Sequence, residues 1–149
     1  MLAFRFLNKY FIIVDPIVKK SPKKSLKAFA HKLAHLENFR KKSYIRLIIY
    51  FLRYYSNKKF RKKEERNTDR ITILKGYGRE LLIYREFIKR VIKKDKRIYN
   101  NYKRISKNYL SEKEIEGYLK KRYKTKKSLT IKINSWNFNS QDLFFVLFV

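Results

Sequence analysis

RITILKGYGRELLIYREFIKRVI, Arg70 to Ile92, is the stretch on which the architecture turns. Its first five residues, Arg70 to Leu74, are rich in β-branched side chains, which stiffen at χ1 and pack well on a pleated surface, so they are expected to form a strand. The strand would end at the Gly76-Tyr77-Gly78 turn. Leu81 to Ile92 (LLIYREFIKRVI) fits a strand or an amphipathic helix, and periodicity alone leaves both readings open.

Upstream, from Leu26, the apolar positions Phe29, Leu33, Leu36, Tyr44, Ile48, Phe51 and Tyr55 fall mostly at spacings of three and four, with a longer step across Arg40 to Lys42. That is helical period, and the helix should end near Ser56 and Asn57. KKFRKKEER, Lys58 to Arg66, crowds like charges without an apolar face, so it reads as a loop, solvated or lying on phosphate. Downstream, Lys93 to Lys107 is polar, basic and tyrosine-rich and reads as an extended connection. Ser111 to Glu114 (SEKE) is a capping box, opening a helix with Ile115, Tyr118, Leu119 and Tyr123 on one side and Gly117 as a weak spot. Ser128 to Asn134 (SLTIKIN) alternates apolar and polar residues as a half-buried strand does. At the start, apolar residues 1 to 18 give way to KKSPKKS, Lys19 to Ser25, a basic linker that Pro22 keeps out of a helix. The expected organisation is an N-terminal extension over 1–24, an α+β domain over 25–134 and an apolar C-terminal arm over 135–149. The order of elements in the domain is that of a ferredoxin-like split βαβ fold, β-α-β-β-α-β, with basic loops.

Forty Lys and Arg against twelve Asp and Glu give the 149-residue chain a formal charge of +28. With 44% hydrophobic residues it is too apolar for a polycation that never folds. Self-repulsion at this charge is relieved most directly by phosphate, so RNA or DNA is the first partner to consider. The absence of cysteine excludes disulfides, thiolate metal sites and a Cys nucleophile. No apolar run approaches the roughly 20 residues of a membrane span. The first 14 residues are basic, apolar and free of acids, as in an organellar presequence, but lack its serines, and are expected to be retained. Phe, Tyr, Ile, Asn and Lys supply more than half of the chain while Ala, Gly and Pro are scarce, the bias of an A+T-rich gene such as a mitochondrial one.

Little catalytic chemistry is legible. The two histidines, His31 and His35, share a helical face at i, i+4, but Lys32 stands where the metalloprotease pattern needs glutamate, and Glu37 is the nearest third ligand. They are expected to be solvated or to face RNA, with no metal bound. The acids are expected to pair with neighbouring cations on the surface. Gly76 to Gly78 lacks the GK[ST] of a phosphate-binding loop. The expectation is a protein that is not an enzyme, with no cofactor and no small-molecule substrate.

What stands out is Lys and Arg interleaved with tyrosine, in RYYSNKKFRKK (Arg53 to Lys63) and KRIYNNYKRISKNY (Lys96 to Tyr109). Such stretches supply phosphate contacts and stacking faces. The candidate RNA-binding residues are Arg53, Lys58, Lys59, Arg61, Lys62, Lys63, Lys75, Tyr77, Arg79, Lys96, Arg97, Lys103 and Arg104. The arm ends in seven apolar residues, too few to span a bilayer and too many to leave in water. Trp136, Phe138, Phe144, Phe145 and Phe148 are therefore the candidate protein-docking residues.

LKAFAHKLAH (Leu26 to His35), RITILKG (Arg70 to Gly76), GRELLIYREFIKRVI (Gly78 to Ile92), SEKEIEGYLKK (Ser111 to Lys121) and SLTIKI (Ser128 to Ile133) resemble, in collinear order, segments of the ribosomal small-subunit protein S-ten family. The resemblance implies a strand at Leu81 to Ile92. It also implies a structural constituent of the mitochondrial ribosome, organelle-encoded and matrix-located, bound to small-subunit rRNA beside neighbouring ribosomal proteins of the subunit head. A second family, ribosomal protein S-thirteen, is similar at Gly76 to Arg79, Lys103 to Ile105 and Leu110 to Ile115, but the LFFVLFV end departs from its glycine- and arginine-rich tail. The alternative function, suggested by the apolar ends, is an accessory subunit of a mitochondrial inner-membrane complex.

Overall fold

The computed structural model describes residues 2–6, 9–14, 29–93, 96–126 and 143–147. Among them are six helices and three strands: β1 (Leu2–Phe6), β2 (Lys9–Val14), α1 (Phe29–Arg40), α2 (Tyr44–Ser56), α3 (Lys58–Leu74), α4 (Gly78–Ile92), α5 (Lys96–Ser106), α6 (Glu112–Lys126) and β3 (Leu143–Leu147). The ferredoxin-like fold is therefore overturned. Arg70 to Leu74 is the last turn of α3, Gly78 to Ile92 is α4 throughout, the basic stretch Lys58 to Arg66 is the first half of α3, and α5 occupies most of the expected extended connection. The strand expected at Ser128 to Asn134 lies outside the described residues.

Local chemistry accounts for these differences. Asn57, extended at φ −111°, accepts the Phe60 N–H at 2.9 Å, which starts α3 directly after α2. At the far end Gly76 takes φ 101°, the Gly76 N–H donates to Ile73 O at 3.0 Å and the Tyr77 N–H to Thr72 O at 3.1 Å. This is a Schellman motif, so the first glycine of GYG closes a helix where a strand-ending turn was expected. Gly78 opens α4 because the neighbouring α6 comes close: an added Cβ would lie 2.9 Å from Leu119 Cδ2. The capping box forms as expected, the Ser111 N–H donating to Glu114 Oε2 at 2.8 Å and the Glu114 N–H meeting Ser111 Oγ at 3.3 Å.

The helix read from Leu26 to Tyr55 divides at residues 41–43, where Ser43 caps α2. The buried face of α2 also differs from the expected one. Leu47 and Tyr50 are buried with Phe51 and Tyr54 packed beside them, while Ile48 (61% exposed) and Tyr55 (63%) face outwards with Ile45, Ile49 and Leu52.

β2 is the centre of the sheet, antiparallel to β1 in the register Ala3↔Ile12 and parallel to β3 in the register Ile12↔Phe145. Its alternate residues Tyr10, Ile12 and Val14 are buried in one cluster with Leu36 and Phe39 of α1 and Leu47 and Tyr50 of α2. A second cluster joins Ile73, Leu81, Leu110 and Ile115. α3 lies between the two, touching α1, α2, α4 and α6. No helix among the described residues is long and apolar enough to cross a membrane.

Candidate nucleic-acid interface and the buried cluster beneath it

α3 carries two chemistries along one helix. Its exposed face bears Lys58, Lys59, Lys62 and Lys63, and its inner face bears Glu65, Thr68, Asp69 and Thr72, all buried. The i, i+4 pair Glu65 and Asp69 meets the i, i+4 pair His31 and His35 on α1. His31 Nε2 lies 3.1 Å from Glu65 Oε2 and His35 Nε2 lies 3.4 Å from the same oxygen, while His31 Nδ1 lies 2.9 Å from Asp69 Oδ1. The other carboxylate oxygens are also used. Glu65 Oε1 accepts from the Tyr54 hydroxyl, and Asp69 Oδ2 accepts from Arg85 Nη2 at 2.6 Å and from the Leu110 N–H at 2.9 Å. Arg85 in turn donates to the Leu110 carbonyl.

Burial opposes charge in every member of this cluster, and their mutual contacts decide which groups stay ionised. For Glu65 and Asp69 burial works against the anion, but hydrogen bonds to the histidines, and for Asp69 the Arg85 charge and the Leu110 N–H, hold both below the ordinary carboxylate range. Burial likewise opposes the His31 cation, yet its contacts with Asp69 and Glu65 prevail and raise it above 6.5. His35 goes the other way: burial, only partly offset by Glu65, lowers it to about 4. The expectation that the histidines are solvated or RNA-facing is thus corrected, since both are buried, and Glu65 and Asp69 are not surface acids. Sequence reading passed over Glu65 and Asp69, although their i, i+4 spacing, matched to that of the histidines, was the available signal.

Other acids are drawn into contacts between elements. Lys75 meets Glu37 at 3.0 Å, Lys89 meets Glu112, and Arg66 meets Glu114. Cations dominate the outer surface, with Glu86 and Glu116 exposed among them. Arg53, Lys58, Lys59, Lys62 and Lys63 are exposed along the α2–α3 corner, Arg61 half-buried among them, and Lys96, Arg97, Lys103 and Arg104 are exposed on α5. Lys75 and Tyr77 are half-buried at the α3–α4 junction, and Arg79 is exposed on α4. A cleft of about 1180 Å³ runs between α3, α4 and α5, with Lys62, Arg66, Lys89 and Lys107 among its lining cations and Tyr102 and Tyr109 among its aromatics. Much of the tyrosine interleaving is core: Tyr54 and Phe60 pack into the first cluster, with the guanidinium of Arg53 4.6 Å from the Phe60 ring centre and that of Arg61 5.8 Å from that of Tyr54. Tyr55 and Tyr99 remain exposed.

Of the candidate docking residues, Phe144 and Phe145 lie in β3, paired in register with Phe11 and Ile12, and Trp136, Phe138 and Phe148 lie outside the described residues. The chain matches no family model, no curated protein and no solved structure.

Proposed function

We propose that this chain is a structural RNA-binding protein of a mitochondrial ribosome's small subunit, holding rRNA by neutralising phosphate. The observation that carries the reading is the partition of charge. Several acids are drawn inside and between helices, and in a chain of net charge +28 the outer faces of α3 and α5 and the rim of the cleft between them display Lys and Arg. Lys58 and Lys59 occupy the first turn of α3 and Lys96 and Arg97 that of α5, where the helix dipole disfavours cations, and an anionic partner relieves that conflict. The reading draws on charge and composition and not on the ferredoxin-like fold, which is absent. Phosphate contacts of this kind fix position without reading base sequence.

A second reading, an accessory subunit of an inner-membrane complex, is favoured by the apolar outer face of α2, where Ile45, Ile48, Ile49 and Leu52 are all more than half exposed. Fractionation of solubilised mitochondria separates the two. Co-sedimentation with ribosomal particles, lost on ribonuclease treatment, is the expected result. Migration with detergent-extracted membrane complexes, and absence from ribosomal fractions, would replace the first reading by the second.

A further inference from the structure

We propose that His31, His35 and Glu65 form a binding site for one divalent transition-metal ion of the zinc class, clamping α1 to α3. The site is independent of the RNA-binding reading, and three observations on the hydrogen-bonding groups lead to it. The Thr68 hydroxyl donates to Glu64 O at 2.9 Å, so its oxygen, 3.5 Å from His35 Nδ1, is left to accept there. In the tautomer with the proton on His35 Nδ1, the Nε2 lone pair faces Glu65 Oε2. On the other ring, His31 Nδ1 lies 2.9 Å from an Asp69 oxygen that can only accept, and in the neutral ring with its proton on Nδ1 the Nε2 lone pair likewise faces Glu65. Two imidazole lone pairs and one carboxylate oxygen thus converge in a buried volume, the ligand atoms all within 4.8 Å of one another. In the metal-free cluster protons on Nε2 bridge these contacts, and a single metal ion replaces them by engaging all three atoms at once.

The dimensions and surroundings suit zinc. Zinc bonds of about 2.0–2.1 Å at the tetrahedral angle set ligand atoms about 3.3 Å apart, and the separations from Glu65 Oε2 are 3.1 and 3.4 Å. Two nitrogen donors and one oxygen favour zinc or its neighbours over magnesium or calcium. Each prospective ligand has an outer partner that fixes its orientation: Asp69 on His31, Thr68 on His35, and the Tyr54 hydroxyl on Glu65. A carboxylate behind a ligating imidazole is the usual second layer of a zinc site. The cleft between α3, α4 and α5 reaches His31 and Asp69, giving an ion a route from solvent.

The test is titration of the full chain, stripped with chelator, first with cobalt(II) and then with zinc(II). One equivalent of cobalt should bind with the visible absorption of a four- or five-coordinate ion, zinc should displace it, and the melting temperature should rise with zinc concentration. Glu65→Gln should weaken cobalt binding at least about a hundredfold, and Thr68→Val, which keeps all three ligands, about tenfold. If Glu65→Gln does not fold, the wild-type titration and Thr68→Val decide. A wild-type chain that leaves cobalt as the octahedral aqua ion overturns the proposal, and the cluster is then held by protons alone, with a His31 imidazolium between the two carboxylates. Binding unchanged in the folded Glu65→Gln protein, or in Thr68→Val, overturns it as well.

Discussion

Asp69 touches three elements at once, meeting His31 of α1 and Arg85 of α4 and capping the Leu110 N–H ahead of α6. Asp69→Ala would take one acceptor from the half-buried Arg85 guanidinium and from the buried His31 imidazole, and the acceptor of the buried Leu110 N–H. The expected cost is about 3–5 kcal/mol, a large share of a small domain's stability, measured as a fall in the urea midpoint. A loss below about 1 kcal/mol, the size of a surface pair, would mean that Asp69 does not join the elements. Glu114 makes a second contact between elements, through the Arg66 guanidinium and the Ser111 hydroxyl and N–H, and its carboxyl is pulled down to about 2, chiefly by Arg66. A carboxylate lowered on folding stabilises fully above its unfolded value near 4.5, and that contribution fades as pH falls towards 2. Stability should therefore decline between pH 4.5 and 2, and Glu114→Gln should flatten part of that decline, modestly because the pair is water-exposed. Identical acid profiles for the two proteins would contradict the assignment. At this scale the capping box was legible because it is local. The His–Glu–Asp cluster was not, since its partners lie about thirty residues apart along the chain and no single turn of helix shows both pairs.

α3 shows why hydropathy misread an element. The face it buries consists of Glu65, Thr68, Asp69 and Thr72 followed by Ile73, so the helical period is present but is written in polar residues whose partners come from α1. Searching for an apolar stripe finds only the β-branched end, Ile71 to Ile73, and reads it as a strand, although tertiary contacts override such propensities. α4 was ambiguous for the opposite reason, having apolar residues enough for either period, and its contacts with α3, α5 and α6 settle it as a helix. Two glycines test the packing of these helices. Gly78→Ala would place a methyl 2.9 Å from Leu119 Cδ2 and 3.2 Å from Ile73 Cγ1, so it should destabilise by about 1–3 kcal/mol despite alanine's better helix propensity. Gly117→Ala meets nothing within 4 Å in the middle of α6 and should stabilise by about 0.5–1 kcal/mol. Thermal unfolding of the pair checks both signs. Gly78→Ala melting above the wild type would show that α4 and α6 are not held as close as described.

At the scale of the molecule, two small cores and a polar cluster carry the six helices and the sheet of the described residues, in a chain of net charge +28. The charge was legible from composition alone, and so was the expectation of a phosphate partner. Its distribution was not, because that depends on which acids the fold takes inside. If the cations on α3 bind phosphate, affinity for RNA must fall steeply with salt, and removing four of them must remove their share of that dependence. The measurement is the affinity of the full chain for a single-stranded RNA across a range of ionic strength, for the wild type and for Lys58→Gln, Lys59→Gln, Lys62→Gln and Lys63→Gln combined. At about 0.7 released counterions per neutralised phosphate, the account predicts a steep negative log–log slope for the wild type and a slope shallower by up to about 3 for the quadruple variant, on any RNA sequence. An affinity indifferent to salt, or a quadruple variant with the wild-type slope and affinity, would contradict it.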